Sequence, residues 1–321
     1  MKNQHLLTIG VLALLTVTVH ADDFGSGGNA FTIDFVPIGN AGNPVDTGTT
    51  GSYFSSHGAV GTTFQMGKYE ISEDMITKAN TLGGLLITKD TRGVNKAATG
   101  VTWNEAARFV NWLNTSQGFA AAYKFTLQPG DGGYTGNEHL VLWTVSDAGY
   151  DAGNLYRNTN ARYVLPSENE WYKAAFYSGS GTTYFDYATG SNTIPTAVAS
   201  GTGAGSAVYG QSFATGPADI TQAGGLSAYG TMGQNGNVYE WNESAFDGIN
   251  NSSSENRAFR GGFWFNAEGF LRSSFRDFLV PTVSSNLVGF RVASVPEPSC
   301  AMLMLSAGLL TLARRRRRAA L

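Results

Sequence analysis

Residues 22–294 are predicted to fold as one loop-rich domain that mixes a few helices with many short strands. Three observations carry this. Hydrophobic residues make up 42% of the 321 positions and aromatics 12%, enough for a sizeable core and too many for a disordered chain. Glycine reaches 41 residues while charged residues are only 14%, a balance that suits extended loops. Two capping boxes, Thr102-Trp103-Asn104-Glu105 and Ser167-Glu168-Asn169-Glu170, mark helix starts.

In chain order, residues 31–38 alternate apolar and polar as a half-buried strand does, and so do residues 64–71. Ser72 can cap a short helix through about Asn80. After Thr102, residues Ala106, Phe109, Val110 and Leu113 recur at helical spacing and form a core-facing stripe. After Ser167, Trp171, Ala174, Ala175 and Tyr177 follow the same logic. Glu105 and Glu170 sit at the third helical position, where a carboxylate caps backbone N–H groups, so neither is read as catalytic. Residues 178–236 are rich in Gly, Ser, Thr and Ala and read as surface loops with room for hairpins.

The two ends differ from the body. Lys2, the apolar run Leu6–Val19 and the small residues up to Ala21 form a secretory signal peptide pattern over residues 1–21. Near the other end, Pro296-Glu297-Pro298 precedes an apolar run, Cys300–Ala313, and five arginines, Arg314–Arg318. At ~1.5 Å per residue that run spans roughly 21 Å, so arginine snorkelling and local thinning are needed to seat it across a bilayer. The arginine block favours the cytoplasmic side and leaves the body outside. This three-part order resembles the PEP-CTERM sorting signal of Gram-negative bacteria, over residues 295–321. The resemblance implies export through the inner membrane and transient anchoring there. It also implies an exosortase partner that cleaves near Pro296, Glu297 and Pro298, and a final place at the cell surface or in the extracellular matrix.

Loss of Lys2 and the five tail arginines takes the 21 Lys+Arg to 15 against 24 Asp+Glu, a net charge near −9. That charge excludes nucleic acid as an expected partner. The chain's one cysteine, Cys300, goes with the tail, and of four histidines only His57 and His139 stay with the domain.

Six segments in order resemble one family, the formylglycine-generating-enzyme (sulfatase-modifying factor) domain. They are Met66-Gly67-Lys68-Tyr69-Glu70, Val101 through Asn114, Leu165-Pro166-Ser167-Glu168-Asn169-Glu170-Trp171, Gly236-Asn237-Val238-Tyr239-Glu240-Trp241, Arg260-Gly261-Gly262-Phe263-Trp264 and Gly289-Phe290-Arg291-Val292. The resemblance implies an irregular α+β fold related to C-type lectins, with low regular secondary structure. Formylglycine-forming members bind copper(I) through two cysteines whose positions fall at about Asn266 and Leu271. An amide and an alkyl group cannot bind soft copper, so no copper is expected. The iron site of the related sulfoxide synthases needs three histidines, more than the domain retains.

The resemblance further implies calcium held by the carbonyls of Gly236 and Val238 and the carboxylate of Glu240, oxygen ligands that suit a hard cation. The pattern's further side-chain ligand would stand at Gly233, which has none. The alternative is that Glu240 accepts hydrogen bonds from an arginine or the backbone. Around the family's groove, Trp264, Asn266, Arg272 and Arg276 are the candidate ligand-binding residues. Their competing role is structural: Arg260, Arg272, Arg276 and Arg291 can bind buried acids and carbonyls, and Trp241, Trp264, Phe265 and Phe275 can be core. The expected function is a noncatalytic surface binding module with exopolysaccharide as its partner. The alternatives are an enzyme of altered chemistry in the same groove, or residual oxidoreductase activity.

Overall fold

The computed structural model describes residues 20–48, 57–136, 138 and 140–295. The predicted signal peptide up to residue 19, the sorting residues Pro296, Glu297 and Pro298 with the rest of the tail, and His139 lie outside the described residues. Among the described residues no helix is long and apolar enough to cross a membrane.

The first strand, β1, spans His20–Phe24 and crosses the predicted signal-peptide junction at Ala21. β2 spans Phe31–Ile38, the range its alternation predicts, with Phe31, Ile33, Phe35 and Ile38 buried. β3 spans only Phe64–Gly67, shorter than the predicted 64–71. The carbonyls of Gly67 and Lys68 instead accept from the Arg291 guanidinium, and Ile71 donates its N–H to Phe290.

Helix α1, Glu73–Gly83, starts where Ser72 accepts from the Met75 N–H and runs three residues past the predicted end, to Gly84 in the left-handed region. α2, Trp103–Ser116, has the full capping box: Thr102 accepts from the Glu105 N–H and Glu105 accepts from the Thr102 N–H. β4 is Tyr163–Val164, and α3, Glu168–Phe176, repeats the box with Ser167 and Glu170. Glu105 and Glu170 thus have the capping role assigned to them. Glu105 also accepts from the Thr88 N–H, and Glu170 also pairs with Arg157.

Residues 178–236 depart from the predicted surface loops. They hold β5, Thr196–Val198, and β6, Ser206–Val208, which pair in parallel and not as a hairpin. Tyr187, Val208, Thr231 and Gln234 are buried. Small residues let this backbone pack closely: a Cβ on Gly224 would stand 2.8 Å from the Ser206 carbonyl. Such packing leaves no side-chain period to read.

The remaining strands are β7, Tyr239–Ala245; β8, Arg257–Arg260; β9, Asp277–Leu279; β10, Val288–Gly289; and β11, Ala293–Ser294. One sheet has the order β1-β2-β3-β11-β4 and is antiparallel throughout. It curls, since Phe24 and Phe35 on its first two strands pack on Tyr163 of its last, with centroids 5.1 and 6.1 Å away. A second sheet has the order β10-β7-β8-β9. Among the described residues, three α-helices and short curled sheets make the expected irregular α+β fold of low regular secondary structure.

Candidate functional site

Strand β7 and helix α3 organise four buried carboxylates. Glu240 on β7 accepts from the Trp171 indole on α3 at 2.7 Å, and Ser244 accepts from the backbone N–H of Glu168 at 3.0 Å. Glu243 accepts from Arg157 Nε at 2.7 Å and from the Tyr123 hydroxyl at 2.8 Å, while Arg157 forks onto Glu170. All of these carboxylates are buried, so each requires a partner.

Glu168 is the most heavily paired. Arg260 Nε donates to its Oε1 at 2.7 Å; Arg276 donates Nε and Nη2 at 2.7 and 2.6 Å. His57 Nε2 stands 3.7 Å from Oε1. Burial alone would raise the carboxyl's pKa, but Arg260, His57 and Arg276 outweigh it and hold Glu168 at about 2. Burial, with the two guanidiniums, pulls His57 down to about 4 against the attraction of Glu168, so the imidazole is neutral at pH 7.

Glu240 has the opposite balance. Arg291 donates Nε and Nη2 to its two oxygens, both at 2.6 Å, and Arg291 also donates to the Met232 carbonyl. A second acid, Glu70, is buried beside it and accepts from the Asn237 amide at 2.8 Å, while its Oε2 has no partner. Burial and the neighbouring Glu240 push Glu70 up to about 8. The Glu70 carboxylate occupies the space a side chain at position 233 would need: a Cβ on Gly233 would lie 2.6 Å from it.

These residues do not fit the calcium expected at Gly236, Val238 and Glu240. Both Glu240 oxygens are held by a guanidinium, which already supplies the positive charge a cation would bring. Among the described residues no group of three or more His, Cys, Asp or Glu side chains is arranged to hold a metal ion.

The segment after β8 carries the remaining candidates. Gly261 and Gly262 have φ of +104° and +77°, and a Cβ on Gly262 would stand 2.8 Å from Leu271. Leu271 is buried with Tyr187, Ala207 and Tyr209. Asn266 is half-buried; its side chain accepts from the Phe263 N–H and its carbonyl from Gly210, which makes it a turn former. Two of the proposed ligand-binding residues are corrected by the structure. Trp264 is fully buried and donates its indole N–H to the Phe213 carbonyl at 3.1 Å. Arg276 is committed to Glu168 and the Phe246 carbonyl. Arg272 is exposed, its guanidinium 5.5 Å from the Tyr187 ring centroid.

The surface beside Trp264 is built from Phe213, which sequence reading missed, and Phe265, which it placed with the core aromatics and the structure exposes. Phe213 and Phe265 are 49% and 53% exposed and meet edge-on at 6.0 Å. An open cavity of about 330 Å³ adjoins them, lined by Arg92, Lys96 and the segment from Phe213 to Pro217. Arg92 stacks over Trp264 at 5.0 Å and pairs with Asp90 at 2.8 Å; Lys96 pairs with Asp219 at 3.0 Å. The cavity wall therefore offers two cations, each paired with an acid beyond the lining, next to the Phe213 ring. Adjacent aromatics at 263–265 gave no period from which to tell the buried ring from the exposed one.

The profile of the sulfatase-modifying factor enzyme 1-like domain family matches residues 44–295, and that of the PEP-CTERM protein-sorting motif matches residues 294–318. No curated protein matches the sequence. Among solved structures, Treponema denticola variable protein 1 is similar with a TM-score of 0.59 at 18% identity, covering 87% of this chain and 100% of its own. The crystal structure of CarF is similar with a TM-score of 0.56 at 20% identity, over 82% of this chain and 98% of its own. PvdO from Pseudomonas aeruginosa is similar with a TM-score of 0.53 at 17% identity, over 86% and 98%. At these identities the likeness is one of fold.

Proposed function

The chain belongs to the sulfatase-modifying factor enzyme 1-like domain family and carries a PEP-CTERM sorting motif, and from that premise we propose that it is a noncatalytic binding module for polysaccharide at the cell surface. The sorting motif implies exosortase processing and export toward the surface of a Gram-negative bacterium. The binding role rests on one observation: the exposed Phe213–Phe265 pair beside a cavity lined by Arg92 and Lys96 and edged by their acidic partners. A sugar ring stacks its C–H face on an aromatic ring while its hydroxyls both donate and accept, and Arg92 and Lys96 with the acids paired to them supply both roles.

The noncatalytic part of the reading is supported by the two positions where the family's thiolates fall. Asn266 forms a turn and Leu271 fills the core, so no soft-metal ligand pair stands there. Retention of the purified domain on exopolysaccharide from its host, with loss of retention in Phe265→Ala, is the expected result. Equal retention of the two proteins, or none by either, would remove the case for this ligand. Copper-dependent oxygen consumption with a cysteine peptide would overturn the noncatalytic reading.

A further inference from the structure

The two ends of the domain that adjoin the removable segments meet at one place. β11 ends between β3 and β4, and the next residue, Val295, donates its N–H to the Arg162 carbonyl at 2.8 Å. The guanidinium of the same Arg162 lies 3.6 Å from the Asp22 carboxylate, and the Tyr163 hydroxyl donates to Asp22 at 2.8 Å. Strand direction agrees with this. Ser294 pairs with Gln65 and Tyr163, near the starts of β3 and β4, while β2 ends opposite Phe64. His20 stands opposite Phe35, so β1 begins toward the Ile38 end. The polypeptide therefore enters β1 and leaves β11 at the same end of the curled sheet.

Two further features distinguish that end. Its tether is short: residues 296–299 alone separate Val295 from the apolar run that starts at Cys300. Five extended Cα–Cα steps reach at most about 17 Å. Chain segments near it are also uncharged. The segments that border it, residues 39–45, 59–63 and 158–161, carry no Asp, Glu, Lys or Arg, in a domain whose mature charge is expected near −9. Uncharged segments meet lipid phosphates without the repulsion an exposed acid would bring; Asp22 at the junction is paired with Arg162, and Glu297 lies in the tether itself.

We propose that this end of the sheet lies against the phospholipid headgroups of the inner membrane while the sorting tail is attached, with Arg162 fastening both junctions above it. The proposal rests on the reading of residues 300–313 as the membrane-seated part of the tail. Its consequence is that the sorting peptidase works in a gap bounded by the folded sheet, and that the aromatic face at Phe213 and Phe265 is presented by a body of fixed orientation.

The test uses the full chain with Cys300→Ser, expressed in a Gram-negative host that lacks the sorting peptidase. Single cysteines are placed at exposed Thr62 and Asn160, at the proposed membrane end, and at exposed Ser26, in the turn between β1 and β2 at the other end. In spheroplasts, a bulky membrane-impermeant maleimide is expected to label Thr62→Cys and Asn160→Cys several-fold more slowly than Ser26→Cys. A flexible Gly-Ser spacer inserted after Val295 is expected to abolish the difference. Equal rates at all three positions in a chain that still sediments with carbonate-washed membranes would overturn the orientation. A chain that does not sediment overturns the anchored-tail reading and the orientation with it. Slowing that survives the spacer assigns the face to a protein partner and overturns the lipid assignment.

Discussion

Two buried carboxylates in this domain, Glu168 and Glu240, are set in similar frames and balanced in opposite directions. Both join β7 to α3, one through Ser244 and the other through Trp171, and both are bound by the forked guanidinium of an arginine. Around Glu168 there are two guanidiniums for one acid, so the site tolerates no further cation and His57 stays neutral. Around Glu240 there are two acids for one guanidinium, so Glu70 keeps its proton to about pH 8. Burial opposes ionisation at both places and is the largest cause at His57 and Glu70; the charge count decides whether it is overcome, as it is at Glu168.

The largest effect is expected from removing the single cation of the second frame. Arg291→Met strands Glu240 and also leaves the Gly67 and Met232 carbonyls without a donor. Breaking a buried pair from one side costs about 3–5 kcal/mol, which chemical denaturation would read as a large fall in midpoint. A loss below ~1 kcal/mol would mean that Glu240 takes up a proton freely and that Arg291 is not its necessary partner.

Glu168→Gln is expected to cost somewhat less, about 2–4 kcal/mol, because Arg276 still reaches the Phe246 carbonyl. Its sharper signature is in acid. Glu168 has a folded pKa below its ordinary value, so its contribution is present above about 4.5 and lost as pH falls toward about 2. His57 is also depressed, from 6.5 to about 4, so folding holds it neutral and that stability is lost as pH falls between those values. Removing Glu168 removes its own acid limb and also the attraction that raises His57, so thermal midpoints should lose the Glu168 contribution while the His57 limb still begins at 6.5 and extends below 4. An unchanged pH profile would show that Glu168 is not the acid-sensitive group.

How much of this was legible depends on the range of the interaction. The capping boxes at Thr102 and Ser167 were readable because donor and acceptor are three residues apart and the geometry is the helix's own. β2 was readable because burial alternates from Phe31 through Phe35. The pairing of Glu240 with Arg291 was foreseeable only as one of two options, since a carboxylate beside glycine carbonyls suits calcium and arginine alike. Glu70 filling the space at Gly233 was not legible at all: it is a contact between distant segments, and the glycine reports only that a side chain is missing. Trp264 and Phe265 are neighbours in an irregular turn, and without a period nothing in the sequence separates a core ring from an exposed one.

The smallest effect on stability, and the finest discrimination between the two frames, is expected from Glu70→Gln. At pH 5 the folded protein holds Glu70 as the neutral acid, and an amide has nearly the same shape, so the change should stay within about 1 kcal/mol. The sign of the pH dependence is opposite to that of Glu168. With a folded pKa raised from 4.5 to about 8, the folded protein keeps a proton that the unfolded chain releases, so stability falls as pH rises through that window. The amide does not titrate, and the variant should lose this fall and become the more stable protein near pH 8. A parallel alkaline decline in both proteins would place the titrating group elsewhere. It would also mean that Glu70 is ionised beside Glu240, in which case Arg291 would have to neutralise two carboxylates alone.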